Sequence, residues 1–202
     1  MKEETTVLHK CISKEELNEL PLNHFEGEIQ LIETLEQVDE AVHYLEQQLI
    51  LGFDTETRPS FKKGQTNPVA LLQLSTADKA FLFRINKIGL PESLLRILAD
   101  TKIVKSGAAI RDDIKILKNV NHFRPGGFVE LQEYVKDFGI ENFSLKKLAG
   151  IVLGFRISKS QRLTNWEAPI LTTSQQIYAA TDAWVSYEIY VRLLEMEGQM
   201  AI

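Results

Sequence analysis

The chain alternates short apolar runs with amphipathic stretches, and the two periods separate its strands from its helices. Residues 1–26 carry no sustained periodicity beyond a short helical pattern around Ser13–Leu20, so they read as an arm. IQLIE (29–33) reads as an edge strand. Thr34 with Gln37 forms a capping-box signal, and Leu35, Val38, Val42, Leu45 and Leu49 recur at helical spacing, which predicts a helix over about 35–48. LILGFD (49–54) stays apolar until its final aspartate, as a buried central strand does. Residues 56–68 hold two prolines, a glycine and two lysines and read as a loop. VALLQLST (69–76) and KAFLFRI (79–85) then predict an antiparallel hairpin across Ala77–Asp78.

PESLLRILAD (91–100) opens with proline at a helix start, KIVKSGA (102–108) is a strand, and IRDDIKILKNV (110–120) is a helix leaving it. A brief strand is expected at Phe128–Leu131, followed by a helix ended by Gly139. Another helix is expected between Ser144 and Gly154. Thr173 with Gln176 forms a second capping box, opening a helix that runs to about 197. An antiparallel meander followed by alternating strands and helices predicts the α/β class, a mixed sheet with helices on both faces. The organisation expected is an arm at 1–26 and one domain at 27–202.

The 202 residues suffice for one real core, and 44% apolar with 25% charged residues is ordinary for a globular chain. The single cysteine, Cys11, excludes an internal disulfide and a cysteine-based zinc site, and no base beside it makes it a nucleophile. The opening MKEETTVLHK lacks the apolar run of a secretory signal, and no stretch approaches a membrane span, so a reducing cytoplasm is the expected compartment. A net charge of −5 argues weakly against nucleic acid as partner. The distribution argues otherwise: between Asn142 and Trp166 there is no acid, while Lys146, Lys147, Arg156, Lys159 and Arg162 are cationic. Alone this is a solvated surface; beside a metal site it becomes a track for a phosphate backbone.

Four carboxylates in three islands carry the chemistry. Asp54 and Glu56 lie two apart in LGFDTETR, so on a strand both project to one face, where they repel unless a cation lies between them. Asp112 and Asp113 open an amphipathic helix, where the helix dipole alone explains an acid; Asp113 lies nearer the apolar stripe of Ile110, Ile114 and Leu117 and is the better ligand. Tyr178 and Asp182 are one helical turn apart, among the small Ala179, Ala180 and Ala183 that let another backbone approach. Such hard oxygen donors suit magnesium or manganese. His9, His24, His43 and His122 all fall outside the islands, and no Gly-rich phosphate loop or G-x-S-x-G elbow is present.

FDTE (53–56), GAAIRDDIKIL (107–117) and YAATDA (178–183), in this order, resemble the tyrosine subclass of the DEDD exonuclease superfamily, in the manner of ribonuclease D and the Werner syndrome exonuclease domain. FVELQEYV (128–135) and SLKKLAG…NW (144–166) are similar to the segments between those motifs, so the resemblance spans about 29–195. It implies a ribonuclease H-like fold and a 3′–5′ exonuclease that releases nucleoside 5′-monophosphates from a free 3′ end of DNA or RNA. It implies that Asp54, Glu56 and Asp182 hold one Mg2+ or Mn2+, that Asp54 bridges to a second ion supported by Asp113, and that Tyr178 orients the attacking water. Lys146, Lys147, Arg156 and Arg162 are then expected on the strand. The appended domains of ribonuclease D and the Werner protein have no counterpart in these residues, from which weak or unprocessive binding is expected. A degenerate nucleic-acid-binding module and a short-oligonucleotide phosphodiesterase are the alternatives.

Overall fold

Six strands form in the computed structural model, which describes residues 8–60 and 67–198. They are β1 (Glu28–Ile32), β2 (Ile50–Thr57), β3 (Val69–Ser75), β4 (Lys79–Phe83), β5 (Val104–Gly107) and β6 (Phe128–Glu130). The helices are α1 (Lys14–Glu19), α2 (Leu35–Leu45), α3 (Ile85–Ile88), α4 (Glu92–Ala99), α5 (Ile110–Val120), α6 (Leu131–Tyr134), α7 (Leu145–Leu148) and α8 (Thr173–Met196). The sheet runs β1-β4-β3-β2-β5-β6; β2, β3 and β4 pair antiparallel, while β1 joins β4 and β5 and β6 follow β2 in parallel. The mixed sheet is therefore as expected, with IQLIE on its edge.

Every residue of β3 is buried, because both faces of the sheet are covered. On one face Phe53, Leu72, Leu74, Phe81 and Phe83 pack with Val38 and Leu45 of α2, Leu94 and Leu98 of α4, and Ile110 and Leu117 of α5. On the other, Leu71 and Leu82 pack with Ala179 and Ala180 of α8. Gly52 makes that second contact unusually close: a Cβ placed there would meet the Ala183 carbonyl oxygen at 1.8 Å. The small residues of YAATDA thus have a counterpart on β2, and helix and strand backbones nearly touch.

Several boundaries differ from the periodicity. Helix α2 stops at Leu45 because Gln47 and Gln48 bond back to Tyr44 and Leu45 in a tight turn, which leaves Leu49 76% exposed. Strand β2 extends to Thr57, since β3 pairs with it through Glu56 and, past an irregularity, Thr57. Asp54 and Glu56 are accordingly held within the ladder, and the middle of the loop expected at 56–68 lies outside the described residues. The single helix expected over 144–154 is α7 followed by a π-helical turn at Ala149–Leu153. The helix expected after β6 is α6 followed by a 3-10 turn at Val135–Phe138. The cap of α8 is Thr172 with Gln175, one residue before the expected pair. TTSQQ satisfies the capping pattern in both registers; a tertiary contact decides, because the Gln175 amide also donates to Thr164 Oγ1 and the Asn165 carbonyl.

Before β1 the chain lies against the domain. Leu17 and Phe25 are buried, the Asn23 N–H donates to the Arg156 carbonyl at 2.9 Å, and the Phe25 N–H donates to Thr181 Oγ1 on α8 at 3.0 Å.

Candidate active site

Gly52, Asp54 and Glu56 share the face of β2 that meets α8. The close approach at Gly52 brings Asp182, one residue before Ala183, down onto that face. Carboxylate oxygens of Asp54, Glu56 and Asp182 all lie within 4.8 Å of one another, and each residue is only partly exposed. Three acids so placed cannot all ionise without compensation. Burial raises Asp54 well above the usual carboxylate range, and Asp182, Glu56 and Asp113 add to the effect. Burial, then Asp182 and Asp113, push Glu56 up to about 9, with Arg162 opposing. Burial pushes Asp182 up to about 7, opposed by the Tyr178 hydroxyl and by Lys159. A divalent cation would supply the missing positive charge, and three hard oxygens at this separation fit Mg2+ or Mn2+.

Asp113 is outside that triad. It leaves α5 on the opposite side of the sheet, and its Oδ1 accepts a 2.6 Å hydrogen bond from the hydroxyl of Thr55, the residue between the two strand acids. Burial pushes it up to about 6; the Thr55 bond opposes, and Asp112 and Glu130 add. Its helix start is held by an unforeseen residue. Glu130 accepts from the backbone N–H groups of Ala109 and Ile110, both at 2.8 Å, and from Gln132 at 3.1 Å. That clamp coincides with a left-handed Ala109 (φ 63°), the only non-glycine with positive φ among the described residues.

Tyr178 is nearly buried, its ring 6.0 Å from that of Trp166. Burial first, then Asp182, Glu56 and Asp54, raise its hydroxyl far above the ordinary tyrosine value. It stays protonated at neutral pH and can orient a nucleophile but not deprotonate one.

The basic residues divide. Lys146, Lys159 and Arg162 line a cavity of about 170 Å³ together with Tyr178 and Asp182. Lys147 does not line it. Arg156 is occupied elsewhere, its Nε donating to the Leu20 carbonyl at 3.0 Å. A second cavity of about 260 Å³ opens onto Tyr178 and Asp182 and has Leu22, Asn23 and His24 as one wall. His24, set aside in the sequence because it lies far from every island, therefore borders the site. Thr55 lies within FDTE and Glu130 within FVELQEYV, but nothing local in those stretches singles out either one, and His24 lies outside every such stretch.

Residues 29–197 match a 3′–5′ exonuclease family. The chain is 35% identical over 151 residues to the mouse bifunctional 3′–5′ exonuclease/ATP-dependent helicase WRN, covering 71% of this chain and 11% of that protein. It is 35% identical over 157 residues to human exonuclease 3′–5′ domain-containing protein 2, covering 72% of this chain and 25% of that one. The chain thus spans a quarter or less of the length of these two relatives. Among solved structures, the Aedes aegypti Nibbler EXO domain superposes with TM-score 0.77 at 22% identity, over 88% of this chain and 93% of that one. Escherichia coli RNase D superposes with TM-score 0.76 at 24% identity, over 84% and 45%. These likenesses show the ribonuclease H-like fold.

Proposed function

Because the chain belongs to the 3′–5′ exonuclease family, we propose that it hydrolyses terminal phosphodiesters of DNA or RNA from the 3′ end, releasing nucleoside 5′-monophosphates. The observation that carries this reading is the meeting of Asp54, Glu56 and Asp182 within 4.8 Å beside Tyr178. Asp54, Glu56 and Asp182 would hold one divalent cation, Mg2+ or Mn2+, and Asp113 would support a second beside Asp54. When bound, the cations supply Lewis acidity and charge neutralisation at the scissile phosphate. Tyr178, kept protonated, orients the attacking water in line with the bond from phosphorus to the departing 3′ oxygen. Lys146, Lys159 and Arg162 face the phosphate backbone from the rim of the smaller cavity. The unit at 27–202 is the catalytic domain, and the segment before it closes one side of the cleft. The compartment proposed remains the cytoplasm; among the described residues no helix is long and apolar enough to cross a membrane.

Incubating labelled single-stranded DNA, duplex DNA and RNA with the protein and Mn2+, then resolving the products, tests the proposal. Stepwise shortening from the 3′ end with release of mononucleotides is expected, and Asp54→Ala and Asp182→Ala should abolish it. Tyr178→Phe should slow it by roughly 10²-fold, the cost of a poorly oriented nucleophile. Unchanged turnover in either aspartate variant would refute the ligand assignment.

A further inference from the structure

Gln73 is fully buried in the middle of β3, and neither its Nε2 nor its Oε1 has a hydrogen-bond partner among the described residues. Buried amides are rarely left so. Its place in the sheet explains the exception. In the β2–β3 ladder Gln73 lies directly opposite Asp54, and in the β3–β4 ladder it lies opposite Leu82, which packs toward α8. Directly paired residues put their Cβ atoms about 4.5–5.5 Å apart on the same face. The amide therefore projects from the Asp54 side of the sheet, within a glutamine's reach of that carboxylate. Packing alone would favour an apolar side chain here, as its neighbours Leu72 and Leu74 illustrate.

We propose that Gln73 is a positioning residue for the metal site, its Nε2 donating to the Asp54 carboxylate when that group is ionised around cations. An ionised carboxylate only accepts hydrogen bonds, and an amide is a neutral donor. Neutrality is the useful property. A lysine or arginine opposite Asp54 would cancel the negative charge that the cations are needed to balance, whereas an amide orients the carboxylate and leaves the charge in place. The amide has no hydrogen-bond partner among the described residues and gains one on loading, so part of the chain's stability is given up for a site ready to receive metal.

This inference rests on the metal-dependent reading above, and its test separates the two. The full chain and its Gln73→Met and Gln73→Leu variants are compared in three measurements: melting temperature in EDTA, Mn2+ binding by calorimetry, and kcat and KM on a labelled single strand. Removing an unpaired buried amide should raise the metal-free Tm by about 2–8 °C. The same variants should bind Mn2+ roughly tenfold or more weakly, as loss of a hydrogen bond behind a metal ligand does. The expected kinetic change is in kcat, with KM nearly unaltered. Wild-type Mn2+ affinity in both variants overturns the inference. So does a lower melting temperature or failure to fold, since either means the amide has a structural partner. If the unmodified protein binds no Mn2+, the parent reading falls and takes this one with it.

Discussion

Replacing Glu56 by glutamine isolates the electrostatic cost of the site. Burial and the neighbouring Asp182 and Asp113 push the Glu56 carboxyl from 4.5 to about 9. Its folded-state pKa lies above its unfolded one, so it binds protons more tightly when folded. The metal-free protein therefore loses stability as pH rises from 4.5 toward 9 and carries the whole penalty above that. Each pH unit inside the window costs about 1.4 kcal/mol if the shift is fully expressed. At pH 7 this amounts to roughly 3 kcal/mol, and at pH 5 to less than about 1 kcal/mol. Glutamine has the shape of the protonated acid and escapes the penalty. Glu56→Gln should thus stabilise the metal-free protein at pH 7 by about 1–3 kcal/mol, or roughly 2–12 °C in Tm, and by little at pH 5. With Mn2+ the order should invert, because cations relieve the wild type and the variant lacks a ligand. Thermal denaturation at pH 5, 7 and 9, in EDTA and in Mn2+, measures all of this. A variant less stable than wild type at pH 7 in EDTA, or a gain that does not grow with pH, would refute the argument from crowded carboxylates.

Gly52→Ala should cost about 3 kcal/mol or more and abolish Mn2+ binding, because the new methyl group occupies the place of the Ala183 carbonyl and pushes α8 from β2; wild-type urea stability would contradict this. Glu130→Gln keeps one acceptor but loses the charged two-point clamp on α5, so about 1 kcal/mol should disappear in urea denaturation. Ala109→Gly relieves the left-handed residue at the same point and should return about 0.5–1 kcal/mol. Thr55→Val removes the hydroxyl that opposes the Asp113 shift, so the Asp113 midpoint, followed by NMR without metal, should move upward from about 6; an unmoved midpoint would mean the bond does not form in solution.

Much of this protein was legible in one dimension. The order of strands and helices followed from periods of two and of 3.6, because burial of one face imposes them locally. The pairing of Asp54 with Glu56 and of Tyr178 with Asp182 followed from the same two periods, since residues two apart on a strand and four apart on a helix share a face whatever else the chain does. Other features depended on residues distant in sequence. Thr172, rather than Thr173, caps α8 because Gln175 reaches Thr164 and Asn165. The strand carrying Asp54 and Glu56 outran its apolar run because β3 pairs alongside it. Arg156 looked like its cationic neighbours Lys159 and Arg162, yet its guanidinium holds the Leu20 carbonyl, so a run of charge did not reveal which members face the cleft. Thr55 and Glu130 lie within recognisable motifs and Gln73 interrupts an apolar run, but the role of each, like that of His24, comes from residues distant in sequence or from the strand across the ladder. Local periodicity decided which way side chains point; only the tertiary fold decided what they point at, because that depends on sheet register and on how closely α8 settles on Gly52.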